Sequence, residues 1–181
     1  MVSIIKDGKP FKLSKRDGNI VLFSDVVKNF GNDVTRFVFL SKKNGVHLEF
    51  DIDMLNKQDS TNPSFYINYA YARVNTLFKK ANKSKTSDDV LNEVIKDKDA
   101  LLLAHKSLFL TSIAKEAFNK KEPHLVCDYL YMLSALFNNI YHRVSVIDSS
   151  SQNEYLKTFL LFQNTIKQGL KLLSITPKEE V

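Results

Sequence analysis

The sequence predicts a mainly α fold, a helical bundle preceded by a short hairpin or loop and two short helices. Three observations carry that prediction. From about residue 51 onward, apolar residues recur at spacings of three and four over stretches too long for strands. Four prolines and five glycines are too few to interrupt those stretches often. Only the beginning differs, where "VSII" is β-branched and Asp7–Gly8 is a turn dipeptide. At 181 residues and 44% hydrophobic, the chain can bury one core, or a core and a small satellite.

The elements follow in order. "VSII" and a second extended piece around Phe11 make the hairpin. Ser24 caps a short helix with apolar positions Val26, Val27 and Phe30, which Gly31 ends in the left-handed conformation. Asn32 caps the second helix, whose apolar face is Val34, Phe37, Val38 and Phe39 or Leu40. Asp33 and Arg36 stand three apart on it and read as a structural pair. "KKNGVHLEFD" reads as a loop, and Asp51 or Asp53 then starts a short helix that stops near "STNP". Asn62 as cap and Pro63 in the first turn open a long helix carrying Phe65, Tyr69, Ala72 or Arg73, Thr76 and Leu77. After the polar loop "ANKSKTSDD" come three helical segments: Val90 to about Ala117 with a kink, Pro123 to about Arg143, and Gln152 to about Leu173. The middle one bears the stripe Leu125, Tyr129, Met132, Leu133, Leu136 and Ile140. "DSSSQN" is the last turn, and no internal repeat is visible.

Composition narrows the function. Lys and Arg number 26 against 20 Asp and Glu, a net charge of +6 and a pI near 9.2, which favours an anionic partner, nucleic acid first. One cysteine, Cys127, excludes an internal disulfide framework and fits a reducing compartment, so a cytoplasmic location is expected. No apolar run approaches the ~18 residues of a spanning helix, and no membrane partner is expected. His47, His105, His124 and His142 are scattered, and His124 with Cys127 is the one pair at helical spacing. Two ligands make no zinc site, so no metal is assigned. Glu49, Asp51 and Asp53 read as capping or solvated charge rather than an acid and base pair. No glycine-rich phosphate loop or nucleophile elbow occurs. The exception is "KPFKLSKRDGNIV", where Lys12, Ser14 and Lys15 could bring two ammonium groups and a hydroxyl to one phosphate chain. Alone, K-x-S-K in a lysine-rich chain reads as a plain basic loop.

Here the residues resemble a known family. "KLSKRDGN" is similar to the KMSKS signature of class I aminoacyl-tRNA synthetases, with leucine for methionine and arginine for the last serine. "GNDVTRFVFLS" resembles their G-x-D-A-x-R-x-F-x-L segment, while "HLEFDID", "NPSFYINYAYAR", "EPHLVCDYLYMLSALFNNIYH" and "GLKLLSITPKEEV" resemble arginyl-tRNA synthetases in particular. The likeness runs the whole length. It implies a C-terminal part of such an enzyme: residues 1–50 as the end of the catalytic domain with connecting helices, and 51–181 as the helical anticodon-binding domain. In the family the signature loop closes over ATP, with Mg2+ accompanying the nucleotide. The resemblance thus gives Lys12 and Lys15 as phosphate contacts and Ser14 as a residue that sets the loop. The nucleotide-binding sheet and HIGH motif are missing from these residues, so adenylation chemistry is not expected of them alone. The implied partners are tRNA(Arg), and ATP and L-arginine through the missing catalytic half; a monomer is expected.

Anticodon bases are single-stranded, and a reader of them needs flat side chains for stacking and basic ones for phosphates. Tyr66, Tyr69 and Arg73 share one helix face. Their spacing by itself reads first as a core stripe; the resemblance reverses that and assigns them, with Tyr129 of the later helix, to tRNA binding. Lys79, Lys80, Lys83 and Lys85 form a basic run that is either a solvated surface or a phosphate contact. Val181 stands where many members of the family end in methionine. Two other readings remain, a stand-alone helical RNA-binding module and a helical protein-interaction domain whose tyrosines are core.

Overall fold

The structure, a computed structural model, describes residues 2–10, 23–86 and 88–180. Phe11, where a second extended piece was expected, lies outside them. Strand β1 (Val2–Lys6) turns through Asp7 and Gly8, both at positive φ (52° and 67°), and pairs antiparallel with β2 (Lys9–Pro10). Positive φ at both central residues matches the right-handed twist of the strands, which is why Asp-Gly suits this turn.

The segment "LEFD", expected as loop, is instead β3 (Leu48–Asp51), parallel to β1 with Val2 opposite Leu48 and Ile4 opposite Phe50. Its alternation explains the strand: Leu48 and Phe50 are buried while Glu49 faces out. The sheet order is β2-β1-β3. Between β1 and β3 runs α1 (Phe23–Leu40), broken at Gly31, whose φ of 80° and ψ of 163° interrupt the helix. The break is where the sequence places it, at the positive φ that glycine tolerates, but ψ is not that of a left-handed helical residue. The start differs too: Phe23 is already helical, so Ser24 lies inside the helix instead of capping it.

Asp51 caps α2 (Ile52–Leu55), accepting from the Asp53 and Met54 amides at 2.9 and 3.0 Å. Asp53 Oδ2 accepts from the Asp7 amide at 2.5 Å and pins the hairpin. These carboxylates hold turns, as their spacing suggested. Ile4, Val26, Val38, Leu48, Phe50 and Leu55 form a small core. Because Leu55 belongs to it, α2 packs with the N-terminal unit although it lies beyond residue 50.

The larger core is the bundle. Asn62 caps α3 (Pro63–Lys80), accepting from the Phe65 amide at 3.2 Å, with Pro63 in the first turn. The expected kinked helix from Val90 to Ala117 is three helices: α4 (Asp88–Leu91), α5 (Lys98–Ser107) and α6 (Leu110–Lys120). The first interruption has a physical cause. The buried carboxylate of Glu154 accepts from the Lys96 amide at 2.7 Å and from that of Asp97, taking donors a helix would use. Asp97 then caps α5 through the Asp99 and Ala100 amides.

Helices α7 (His124–Arg143) and α8 (Gln152–Leu172) complete the bundle. Phe137 of α7 stacks on Phe162 of α8 at 4.7 Å and 3°, and meets Phe159 edge-on at 4.8 Å. All three rings are fully buried. Nearby, a Cβ on Gly169 would lie 2.4 Å from Leu130, so α8 approaches α7 closely only because residue 169 lacks a side chain. Cys127 is buried, and burial first, then Asp128, pushes its thiol up to about 12, while His124 is half-buried. No helix among the described residues is long and apolar enough to cross a membrane.

Candidate functional site

A second side of α7 meets α3 along a seam of a different character. Tyr66 lies 5.2 Å from Tyr131 between ring centroids, and Phe65 stacks on Tyr69 at 5.5 Å and 15°. The Arg73 guanidinium carbon sits 4.3 Å from the centre of the Tyr69 ring and 4.4 Å from that of Tyr141. Its nitrogens donate to the Tyr69 hydroxyl (2.9 Å) and Asn138 Oδ1 (3.1 Å). Phe65, Tyr66, Tyr69, Arg73 and Tyr141 are half-buried and Tyr131 is exposed. This row of rings, fixed by a cation, leaves part of each ring at the surface.

The pattern follows from α3's periodicity. Ile67, Ala70, Tyr71, Val74, Leu77 and Phe78 face the core, leaving positions 66, 69 and 73 on the flank. Arg73 is engaged as an organiser of that flank, fixing Tyr69 between its stacked charge and a hydrogen bond. The side-chain amide nitrogen of the buried Asn138 has no partner among the described residues, its oxygen being taken by Arg73.

Tyr129 does not join the row. It is 6% exposed, packed in the bundle core, and its hydroxyl donates to the Lys106 carbonyl at 2.8 Å. Burial pushes that hydroxyl up to about 12. A ring so enclosed offers no face to a base, which corrects its assignment to tRNA binding. The α7 residue that meets Tyr66 is Tyr131, two positions on and off the apolar stripe, and sequence reasoning missed it.

Beside the seam runs a strap, the chain after α8. The Thr176 amide donates to Asp33 Oδ2 at 3.2 Å, and Arg36 donates to the Ser174 carbonyl. The D-x-x-R pair therefore holds the strap to α1. Further along, the Lys178 amide donates to Asn68 Oδ1 at 3.0 Å. Glu179 accepts from the Tyr71 hydroxyl at 2.8 Å and from Asn75 Nδ2 at 2.6 Å. The Tyr71 bond, then that of Asn75, outweighs desolvation and holds the Glu179 carboxyl below the usual range, while burial and Glu179 push Tyr71 up. The basic run divides. Lys85 is half-buried and donates to Asn75 Oδ1 (2.5 Å) and Gln163 Oε1 (2.6 Å), whereas Lys79 and Lys80 are exposed. Lys12, Ser14, Lys15 and Val181 lie outside the described residues.

Residues 67–181 match the model of the DALR anticodon binding domain, which covers the bundle from the core face of α3 to the strap. The chain belongs to the DALR anticodon-binding domain family. This DALR chain is 45% identical, over its full length, to an arginine–tRNA ligase of Nitratiruptor, and 46% identical to one of Campylobacter curvus. It spans about a third (34%) of the length of each. It also superposes on the crystal structure of a protein assigned as an arginyl-tRNA synthetase from Campylobacter jejuni. There the TM-score is 0.89 at 40% identity, with all of this chain and 40% of that one covered. The fold extends to the arginyl-tRNA synthetase of Thermus thermophilus, at a TM-score of 0.69 and 21% identity over 92% of this chain and 29% of that one.

Proposed function

We propose that this DALR chain is the C-terminal part of an arginyl-tRNA synthetase and that the α3–α7 seam holds unpaired bases of the tRNA(Arg) anticodon loop. The observation that carries the reading is the row of half-buried Tyr66 and Tyr69 with exposed Tyr131, Arg73 stacked on Tyr69, in a chain of net positive charge. Ring faces accept any base by stacking, and basic residues nearby screen the phosphates. In the longer protein, Lys12 and Lys15 would meet ATP phosphates and Ser14 would set their loop. That protein would ligate arginine to tRNA in the cytoplasm as a monomer, with Mg2+ accompanying the nucleotide.

The test is a filter-binding titration of an anticodon stem-loop RNA across a salt series. Removing one platform, by Tyr66→Ala or Tyr69→Ala, should weaken binding by ~1–3 kcal/mol. Changing the anticodon should weaken binding at every salt concentration, because base contacts survive salt better than phosphate contacts do. Affinity indifferent to both tyrosine variants would sink the reading and favour a protein-interaction bundle. Pyrophosphate exchange is expected to be absent from this chain alone, and detecting it with arginine and tRNA would refute the division of labour.

A further inference from the structure

Two adjoining clefts meet at the strap. One, of about 370 Å³, is lined by Tyr69, Arg73, Tyr141, Lys79 and both strap glutamates; the other, of about 320 Å³, by Phe78, Lys79, Lys83, Lys85 and the same glutamates. The row of rings thus runs directly into a row of lysines, with carboxylates already seated between them. We propose that Lys79 is a binding site for a backbone phosphate of the RNA, occupied in the free protein by the chain's own Glu180. Association then exchanges one anion for another. The inference rests on the reading of the seam as an RNA surface.

The two glutamates are held very differently. Glu179 has the Tyr71 hydroxyl and Asn75 amide as donors and is anchored. Glu180 meets Lys79 Nζ at 3.1 Å, with the two side chains 84% and 72% exposed. An exposed pair of this kind is weak and salt-screened. Glu180 nevertheless competes, because the anchored neighbour keeps it at a high effective concentration beside Lys79. Lys85 is not the exchangeable cation, since Asn75 and Gln163 already take its ammonium group. Lys79 stands six residues after Arg73 on the same helix, about 9 Å along the axis. A strand stacked at the seam would carry its backbone past it.

The experiment titrates an anticodon stem-loop RNA into the chain at low and physiological salt, using Glu180→Gln, Lys79→Gln and the double variant. Glu116→Gln, which breaks the exposed Lys120–Glu116 pair on α6, is the control for net charge. Glu180→Gln should tighten binding about threefold at low salt, with the gain shrinking as salt rises. Glu116→Gln should leave affinity within about 1.5-fold. Lys79→Gln should weaken binding and erase the gain from Glu180→Gln. Equal gains from the two glutamate variants, or a gain that persists without Lys79, would overturn the exchange while leaving the seam intact. Binding insensitive to both Tyr66→Ala and Tyr69→Ala, or absent from the unmodified chain, would instead overturn the reading of the seam and the exchange with it.

Discussion

Helix α7 has two sides, and they are built for opposite ends. Toward α8 it presents Phe137 and Leu130, fully buried and interlocked with Phe159, Phe162 and Gly169. Toward α3 it presents Tyr131, Asn138 and Tyr141 against rings that stay half-buried and a guanidinium that stacks on two of them. The first side is fully buried and stores stability; the second leaves part of its aromatic surface uncovered. Ring content alone does not separate them. What does is whether a polar group has been placed among the rings and whether a neighbouring helix seals their edges.

The contrast breaks most visibly at Phe137. Truncation to alanine should cost ~3–5 kcal/mol in denaturant unfolding. RNA selectivity of the folded fraction should be unchanged; altered selectivity would mean that the two sides are coupled. Gly169→Ala should come next at ~1–3 kcal/mol, because the new methyl meets a Leu130 side chain that is itself enclosed. Unchanged unfolding would show that the helices can part without cost. Two tyrosines of α7 sharpen the comparison. Tyr131→Ala should weaken RNA binding by ~1 kcal/mol with little effect on stability. Tyr129→Phe should do the reverse, losing about 1 kcal/mol of stability with its bond to Lys106.

The smallest effect is one of pH. The Glu179 carboxyl is depressed in the folded chain, so its contribution is present at neutral pH and lost as pH falls through that lowered value, below the ordinary 4.5. The protection of the Lys178 amide, measured against its intrinsic exchange rate at each pH, should fall there. In Tyr71→Phe, which removes the first of the bonds that lower it, the loss of protection should begin at higher pH. An unchanged profile would show that Tyr71 does not hold the strap.

Much of this was legible in the residues. Asn62–Pro63, Gly31 and Asp51 mark their boundaries because caps and breakers act locally, through one or two hydrogen bonds or a single dihedral. Strand β3 was not read, although Leu48 and Phe50 alternate with polar neighbours, since four residues give a weak signal and the partner strand lies over forty positions away. The first break in the Val90–Ala117 stretch depends on Glu154, equally remote in sequence. At the site, Tyr66 and Tyr69 lie on the expected face of α3. Tyr129 was placed on the RNA surface by family likeness although its own spacing put it on the apolar stripe, and the stripe was the better guide. Tyr131 carries the signal in reverse, an aromatic residue off the stripe that only the position of α3 makes meaningful.

The strap has a bearing on how the molecule is made. Its bonds to Arg36 and Asp33 span 138 and 143 residues, so during synthesis α1 emerges long before the backbone groups that will secure it. The small sheet and its helix must wait on a nascent bundle, and the final docking of the strap is a late, long-range event. Until then the Asp33 and Arg36 side chains stay solvated on an unfinished surface, and a stalled or truncated product would lack the clasp that joins its first folded unit to its last.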